Sequence, residues 1–262
     1  MSTSPSITES LFALGLGDRL VGVSTYCRYP AEVQRLPKVG SFLHPDAELI
    51  ARLRPDLVIV HAGPNDVPRQ LSALGFRTVT VDRGTLASVY SSIRTMGTAA
   101  DVVDRAEALI ADLQARLAHV RAAVAGRPPK KVLIVIGRTP GTLSDLIAVG
   151  RDSYLNDLVT IAGGVNVLDD PKLPDYPRIS METVIHLAPD VIVDAGDMGD
   201  TPEEHVRRQP ATERLWQQQR HLTAVQQKGV HVVTSDAFVV PGPRVVEAAE
   251  TLAGWLHGVH GG

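Results

Sequence analysis

Aromatic side chains make up only 4% of the 262 residues, so two tyrosines three positions apart stand out in Ser24-Thr25-Tyr26-Cys27-Arg28-Tyr29-Pro30. Similar short segments carry His61-Ala62-Gly63-Pro64-Asn65-Asp66, Asp82-Arg83-Gly84 and Gly137-Arg138-Thr139-Pro140-Gly141-Thr142. Tyrosine rings, an imidazole and small residues suit contact with a large flat ligand better than they suit a phosphate. The groups a nucleotide site needs are missing, because no Gly-x-Gly-x-x-Gly and no Gly-x-x-x-x-Gly-Lys-Ser/Thr follows a strand. No Gly-x-Ser-x-Gly elbow offers a nucleophile. The nine histidines form no His-x-x-x-His pair, and His257 and His260 lie near the C-terminus. A zinc or manganese site built from His44, His61 and Asp236 is the competing arrangement. Tyr26 and Tyr29 could equally be packed within their loop, and His61 could be a satisfied, half-buried histidine. Cys27 has no neighbouring charge or helix start that would activate it.

The elements that must position these residues follow from periodicity. Ser6 to Leu16 reads as a helix, Arg19 to Val23 as a brief strand, and Asp46 to Leu53 as a helix capped by Asp46. Leu57-Val58-Ile59-Val60 is a continuous apolar run of the kind buried in parallel sheets. A helix over Val67 to Leu74 and a strand over Thr78 to Val81 complete a strand–helix–strand rhythm, which predicts a parallel α/β sheet. In such sheets ligands bind outside the carboxyl ends of the strands, where the tyrosine- and histidine-bearing segments fall.

From Leu86 to Ala125 apolar residues recur every three or four positions (Leu86, Val89, Ile93, Met96, Ala100, Val103, Ala106, Ile110, Leu113, Leu117, Val120, Val124). That predicts one long helix of about forty residues and roughly 60 Å, with a kink near Gly97–Thr98 as an option. Beyond it Lys131 to Ile136 reads as a strand, Leu155 to Ala162 and Ser180 to Leu187 as helices, Val191 to Val193 as a strand, and Val230 to Asp236 as a last strand closed by an aspartate. The stretch Asp46 to Val60 matches Ser180 to Asp194, with Glu48/Glu182, Leu53/Leu187, Pro55/Pro189 and Asp56/Asp190 in register. Gly15 and Gly163 end a second, weaker pair of helices. Two similar Rossmann-like halves with parallel sheets, joined by one long helix, are therefore expected: an N-terminal α/β lobe over 1–85, the connecting helix over 86–126 and a C-terminal α/β lobe over 127–262.

The totals limit the function classes. A composition of 44% hydrophobic and 21% charged residues with a net charge of −3 lacks the basic stripe of a nucleic-acid binder. No run of 18 apolar residues could span a membrane. One cysteine excludes an intramolecular disulfide and leaves the redox compartment undecided. The opening Met1-Ser2-Thr3-Ser4-Pro5 has neither a basic nor an apolar region of an export signal.

Taken in order, the motifs resemble the helical-backbone (class III) substrate-binding proteins of ABC importers. Ser4-Pro5-Ser6-Ile7-Thr8-Glu9, Leu16-Gly17, Val21-Gly22-Val23, Pro55-Asp56-Leu57-Val58-Ile59, Leu74-Gly75, the long helix, Gly163-Gly164-Val165-Asn166-Val167, Pro189-Asp190-Val191-Ile192 and Pro241-Gly242-Pro243-Arg244 carry the likeness across nearly the whole chain. Tyr26-Cys27-Arg28-Tyr29-Pro30 and Ser235-Asp236-Ala237-Phe238 with Pro243-Arg244 are most similar to the vitamin B12 (cobalamin) binders of that family. Other members carry ferric siderophores or haem, and more distant ones bare metal ions.

The resemblance implies a non-enzymatic, monomeric receptor without an intrinsic cofactor. It captures cobalamin, a related corrinoid or an iron complex between two lobes and hands it to a membrane permease. It implies ligand contacts at Tyr26, Tyr29, Phe42, His61, Arg138, Tyr176, Asp236 and Phe238. His61, Thr80, Ala237 and Val240 stand where the best-known cobalamin pattern has aromatic or charged residues. Asp66 is the implied permease-docking acid on the first lobe. On the second, Asp197, Asp200, Glu203 and Glu204 are candidates, and Glu203 is chosen among them. Family members act in the periplasm or anchored outside the cytoplasm, so a start codon set too far downstream or a trimmed chain would account for the missing signal and most of a first strand. The competing class is an enzyme that uses the cleft on a metal-bound substrate.

Overall fold

The computed structural model describes residues 1–63, 66–196 and 201–259. Packing divides the chain into two units, one formed by Met1–Gln114 with Val240–Pro243 and the other by Ala115–Val239 with Arg244–Gly262.

In the first unit α1 (Pro5–Ala13) starts at Ser4, whose hydroxyl accepts from the Ile7 amide, with proline in the first turn. α2 (Ala47–Leu53) is capped by Asp46, whose carboxylate accepts from the Leu49 amide at 2.9 Å. β1 (Val58–His61), α3 (Val67–Ala73) and β2 (Thr78–Val81) follow, and the two strands pair in parallel with His61 opposite Val81. Met1, Val39, Ile50, Val58, Val60, Val67 and Leu71 form the core beneath them. Residues 1–3 lie along the other side of β1: Ser2 bridges Ile59 in parallel and the Met1 amino group donates to the Leu57 carbonyl at 2.9 Å. Burial lowers the pKa of that amino group to about 6. The strand expected over Arg19–Val23 is reduced to a 3-10 turn at Gly17–Arg19 and a single parallel bridge between Val23 and Lys38.

The long helical face is present, but in two segments: α4 (Leu86–Ala99) and α5 (Val103–Ala123). Leu86, Val89, Ile93, Met96, Ala106, Ile110, Leu113, Leu117, Val120 and Val124 are buried as the periodicity requires, while Val103 is exposed at the turn. The helix stops because the Val102 amide bonds back to the Gly97 carbonyl at 2.8 Å and the Asp101 amide to Thr98 at 3.3 Å, with Asp101 left-handed at φ 59°. Aspartate tolerates that conformation better than most side chains. Gly97 lets the two segments pack closely at this turn, since a Cβ there would sit 2.4 Å from the Ala106 Cβ. The Arg94 guanidinium closes the corner with two hydrogen bonds to the Glu107 carboxylate, 2.5 and 2.9 Å long.

The second unit contains β3 (Lys130–Gly137), β4 (Leu146–Ala148), α6 (Tyr154–Ile161), β5 (Gly164–Asn166), β6 (Arg178–Ile179), α7 (Met181–Leu187), β7 (Val191–Asp194), α8 (Pro202–Gln217), α9 (Thr223–Gln226), β8 (Val230–Val232) and α10 (Val245–His257). Its sheet has the order β6-β4-β3-β7-β8, with β5 also paired to β3. β3 pairs in parallel with β5 and β7, and β7 with β8, while β4 runs antiparallel to both β3 and β6. The sheet is thus mixed where a parallel one was expected. Leu133, Val135, Leu146, Val184, Ile192 and Trp216 belong to its core.

The sequence repeat survives as geometry. α2 and α7 occupy matching positions in the aligned stretches, each opens on a capping side chain, and each ends in a left-handed residue before proline, Arg54 at φ 45° and Ala188 at φ 44°. The weaker match also holds, because Gly15 and Gly163 close their helices at φ 71° and 79°.

Candidate functional site

Tyr26 and Tyr29 sit on the loop that follows the Val23 bridge and are 53% and 47% exposed. Their loop is held from below. The Lys38 ammonium donates to the carbonyls of Cys27 and Val33 at 2.9 and 3.1 Å, and the Tyr26 amide donates to the buried Ser24 hydroxyl. Cys27 is buried beside the Thr8 hydroxyl at 3.0 Å, and burial pushes its thiol above the ordinary range. Phe42 is half-buried in a turn at Ser41–His44, where Gly40 at φ 87° lets the His44 carbonyl approach.

His61 ends β1 and is tied down on both ring nitrogens. Nδ1 lies 3.4 Å from the Val81 carbonyl, which can only accept. The Ser6 hydroxyl therefore donates to Nε2 at 2.9 Å, and Ser4 extends the chain by hydrogen-bonding Ser6 at 3.2 Å. Burial is the main cause that lowers the His61 pKa, with the Arg83 charge adding to it. His61 lines a small cavity with Ser6, Ser10, Asp82, Arg83 and Ser92. Asp66 is exposed at the start of α3, left-handed at φ 46°, and lies 3.8 Å from the Arg69 guanidinium.

In the second unit the loop residues behave differently from one another. Tyr176 is 41% exposed, and its hydroxyl lies 3.4 Å from Ser153. The Gly150 amide bonds the Asp175 carbonyl at 2.7 Å, so close that a Cβ at Gly150 would meet Pro174 at 2.5 Å. Asp236 opens a 3-10 turn at Asp236–Phe238 and is partly exposed, with its carboxylate 2.7 Å from Arg244.

Arg138 and Phe238 depart from the expectation of a ligand contact. The Arg138 guanidinium is buried and donates to Asp194 at 3.2 Å, to the Thr142 carbonyl at 3.0 Å and to the Thr212 hydroxyl at 2.7 Å. A guanidinium enclosed this way has its donors committed to the protein. Phe238 is 3% exposed and stacks on Trp255 with ring centroids 5.4 Å apart, and Trp255 stacks in turn on His231 at 4.6 Å. It is a core ring because the turn that presents Asp236 points it inward.

Glu203 is exposed in the first turn of α8, while Glu204 pairs with Arg207 and Arg208. Asp197, Asp200, Pro64, Asn65 and His260 lie outside the described residues. Among the described residues no group of three histidine, cysteine, aspartate or glutamate side chains is placed to hold a metal ion. Ser6 and Asp194 were missed as supporting residues. Arg244 carried a signal, since it ends Pro241-Gly242-Pro243-Arg244 at the start of a helix.

The family model described as periplasmic binding protein matches residues 1–237. The chain belongs to the periplasmic binding protein family. This family member is 29% identical to a vitamin B12-binding protein of Salmonella typhimurium, over 99% of its own length and 90% of the relative's. Its fold is similar to that of an ABC transporter substrate-binding protein from Listeria monocytogenes, with a TM-score of 0.81, 26% identity and coverage of 99% and 98% of the two chains. It is also similar to a periplasmic heme-binding protein from Pseudomonas aeruginosa, with a TM-score of 0.80, 28% identity and coverage of 99% and 92%. These relatives are substrate-binding transport proteins, not enzymes, which removes the cleft-enzyme alternative. No helix among the described residues of this periplasmic binding protein is long and apolar enough to cross a membrane.

Proposed function

We propose that the protein is the substrate-binding component of an ABC importer, and that it captures cobalamin or a related corrinoid outside the cytoplasm for delivery to a membrane permease. The observation that carries this reading is the full-length likeness to a vitamin B12-binding protein. Exposed Tyr26, Tyr29 and Tyr176 support it, because rings left in water gain from being covered by a macrocycle while their hydroxyls keep polar partners. Asp236, oriented by Arg244, offers a carboxylate oxygen to ligand donors. Asp66 and Glu203 are the acids proposed to dock on permease cations, where exposed ion pairs steer more than they bind.

Haem or a ferric siderophore is the second reading, favoured by the equally full-length likeness to a heme-binding protein. Both readings are tested by titrating the purified protein with cyanocobalamin, haemin and ferric siderophores, followed by calorimetry and difference spectra. Saturable corrinoid binding at one site per chain is expected. Saturation by haemin with a shifted Soret band, or by a ferric siderophore, would move the assignment to the second reading. Silence from every ligand would overturn both.

A further inference from the structure

We propose that His205 is the positioning residue that holds the Asp236-bearing segment in its binding conformation. Backbone carbonyls at a sheet end must find donors off the ladder. Here β8 ends at Val232, and the Val233 amide makes the last bond to the sheet, to the Asp194 carbonyl at 2.8 Å. The next carbonyl but one, that of Thr234, is met by Nδ1 of His205 at 3.1 Å. A carbonyl only accepts, so Nδ1 carries the proton, and His205 as a residue is 4% exposed. From there the chain turns: Ser235 caps the Ala237 amide, Arg244 holds Asp236, and the Tyr154 hydroxyl donates to the Phe238 carbonyl at 2.7 Å. The segment is thus fastened at its start, middle and end by side chains from α8, the residue preceding α10, and α6.

The fastener at the start is itself rigidly mounted. His205 sits one turn into α8, its amide bonded to the Thr201 carbonyl at 3.0 Å. Thr212 and Trp216, seven and eleven residues further, share its helical face. Both hydrogen-bond into the buried Arg138–Asp194 pair, at 2.7 Å each. α8 therefore carries a fixed donor to Thr234, and the shape in which Asp236 is offered depends on it. This inference rests on the proposed role of Asp236 in ligand binding.

The test compares His205→Asn with His205→Gln, because the asparagine amide falls near the Nδ1 position and the glutamine amide near Nε2. Dissociation of cyanocobalamin is measured, and amide hydrogen exchange at Ala237 and Val239 is followed in the ligand-free protein. Loss of one hydrogen bond corresponds to about a fivefold change. His205→Gln is expected to accelerate both by about fivefold, and His205→Asn to stay within about twofold of the parent. Equal behaviour of the two variants in exchange and in dissociation would overturn the proposal. If the parent protein binds no cyanocobalamin, the ligand reading falls, while the exchange comparison still decides whether His205 positions the segment.

Discussion

Arg138 and Asp194, 56 residues apart, form an ion pair at 3.2 Å in which both side chains are fully buried. The second Asp194 oxygen accepts from the Gly196 amide at 2.7 Å, and the paired oxygen also accepts from the Trp216 indole at 2.7 Å. The network joins the carboxyl ends of β3 and β7 to α8, the helix that carries Glu203 and His205.

A buried pair costs little while intact and much when half of it is removed. Arg138→Met leaves the Asp194 carboxylate buried beside neutral donors only, and is expected to cost about 3–5 kcal/mol. The double variant Arg138→Met/Asp194→Leu should cost less than the sum of the two single changes. Urea denaturation of the three variants checks both statements.

Gly97→Ala should destabilise, against helix propensity. Alanine gains about 1 kcal/mol over glycine within a helix. At this corner its Cβ would lie 2.4 Å from that of Ala106, and overpacking of this kind costs about 1–3 kcal/mol. A lowered denaturation midpoint is expected, and a raised one would show that α4 and α5 separate freely.

His61 makes stability depend on pH. Its folded pKa lies below the ordinary 6.5, mainly through burial, so the unfolded chain takes up a proton at higher pH than the folded one. The stability held by neutral His61 is complete above about pH 6.5 and falls as pH drops through that value toward the folded pKa. His61→Gln should flatten the difference in unfolding free energy between pH 8 and pH 5.5. His231, whose pKa is also lowered by burial, contributes equally to both proteins and cancels in the comparison.

The proposed docking acids should separate ligand capture from delivery. Asp66→Asn and Glu203→Gln are suited to this, since asparagine tolerates the left-handed backbone at Asp66 and both acids are exposed. Each variant should bind ligand within about twofold of the parent, as exposed ion pairs carry under about 1 kcal/mol. Transport assays with the cognate permease should show slower uptake, most clearly at low salt. A loss of ligand affinity instead would place these acids in the ligand site.

The α/β class, the repeat around α2–β1 and α7–β7, the capping role of Asp46, and the buried face of α4 and α5 were legible in the sequence. All of these rest on local rules, namely periodicity, caps and prolines, whose partners lie within a turn or two. The tertiary structure decided what local rules do not reach. Arg138 found a partner 56 residues away and Phe238 found Trp255, so both side chains are turned into the interior. His61 acquired Ser6 across 55 residues, and Thr234 acquired His205 across 29. The long helix turned at Asp101 because Gly97 allowed Ala106 to close against it. Side chains at strand ends are assigned to core or to ligand by neighbours far along the chain, and spacing in sequence carries no record of them.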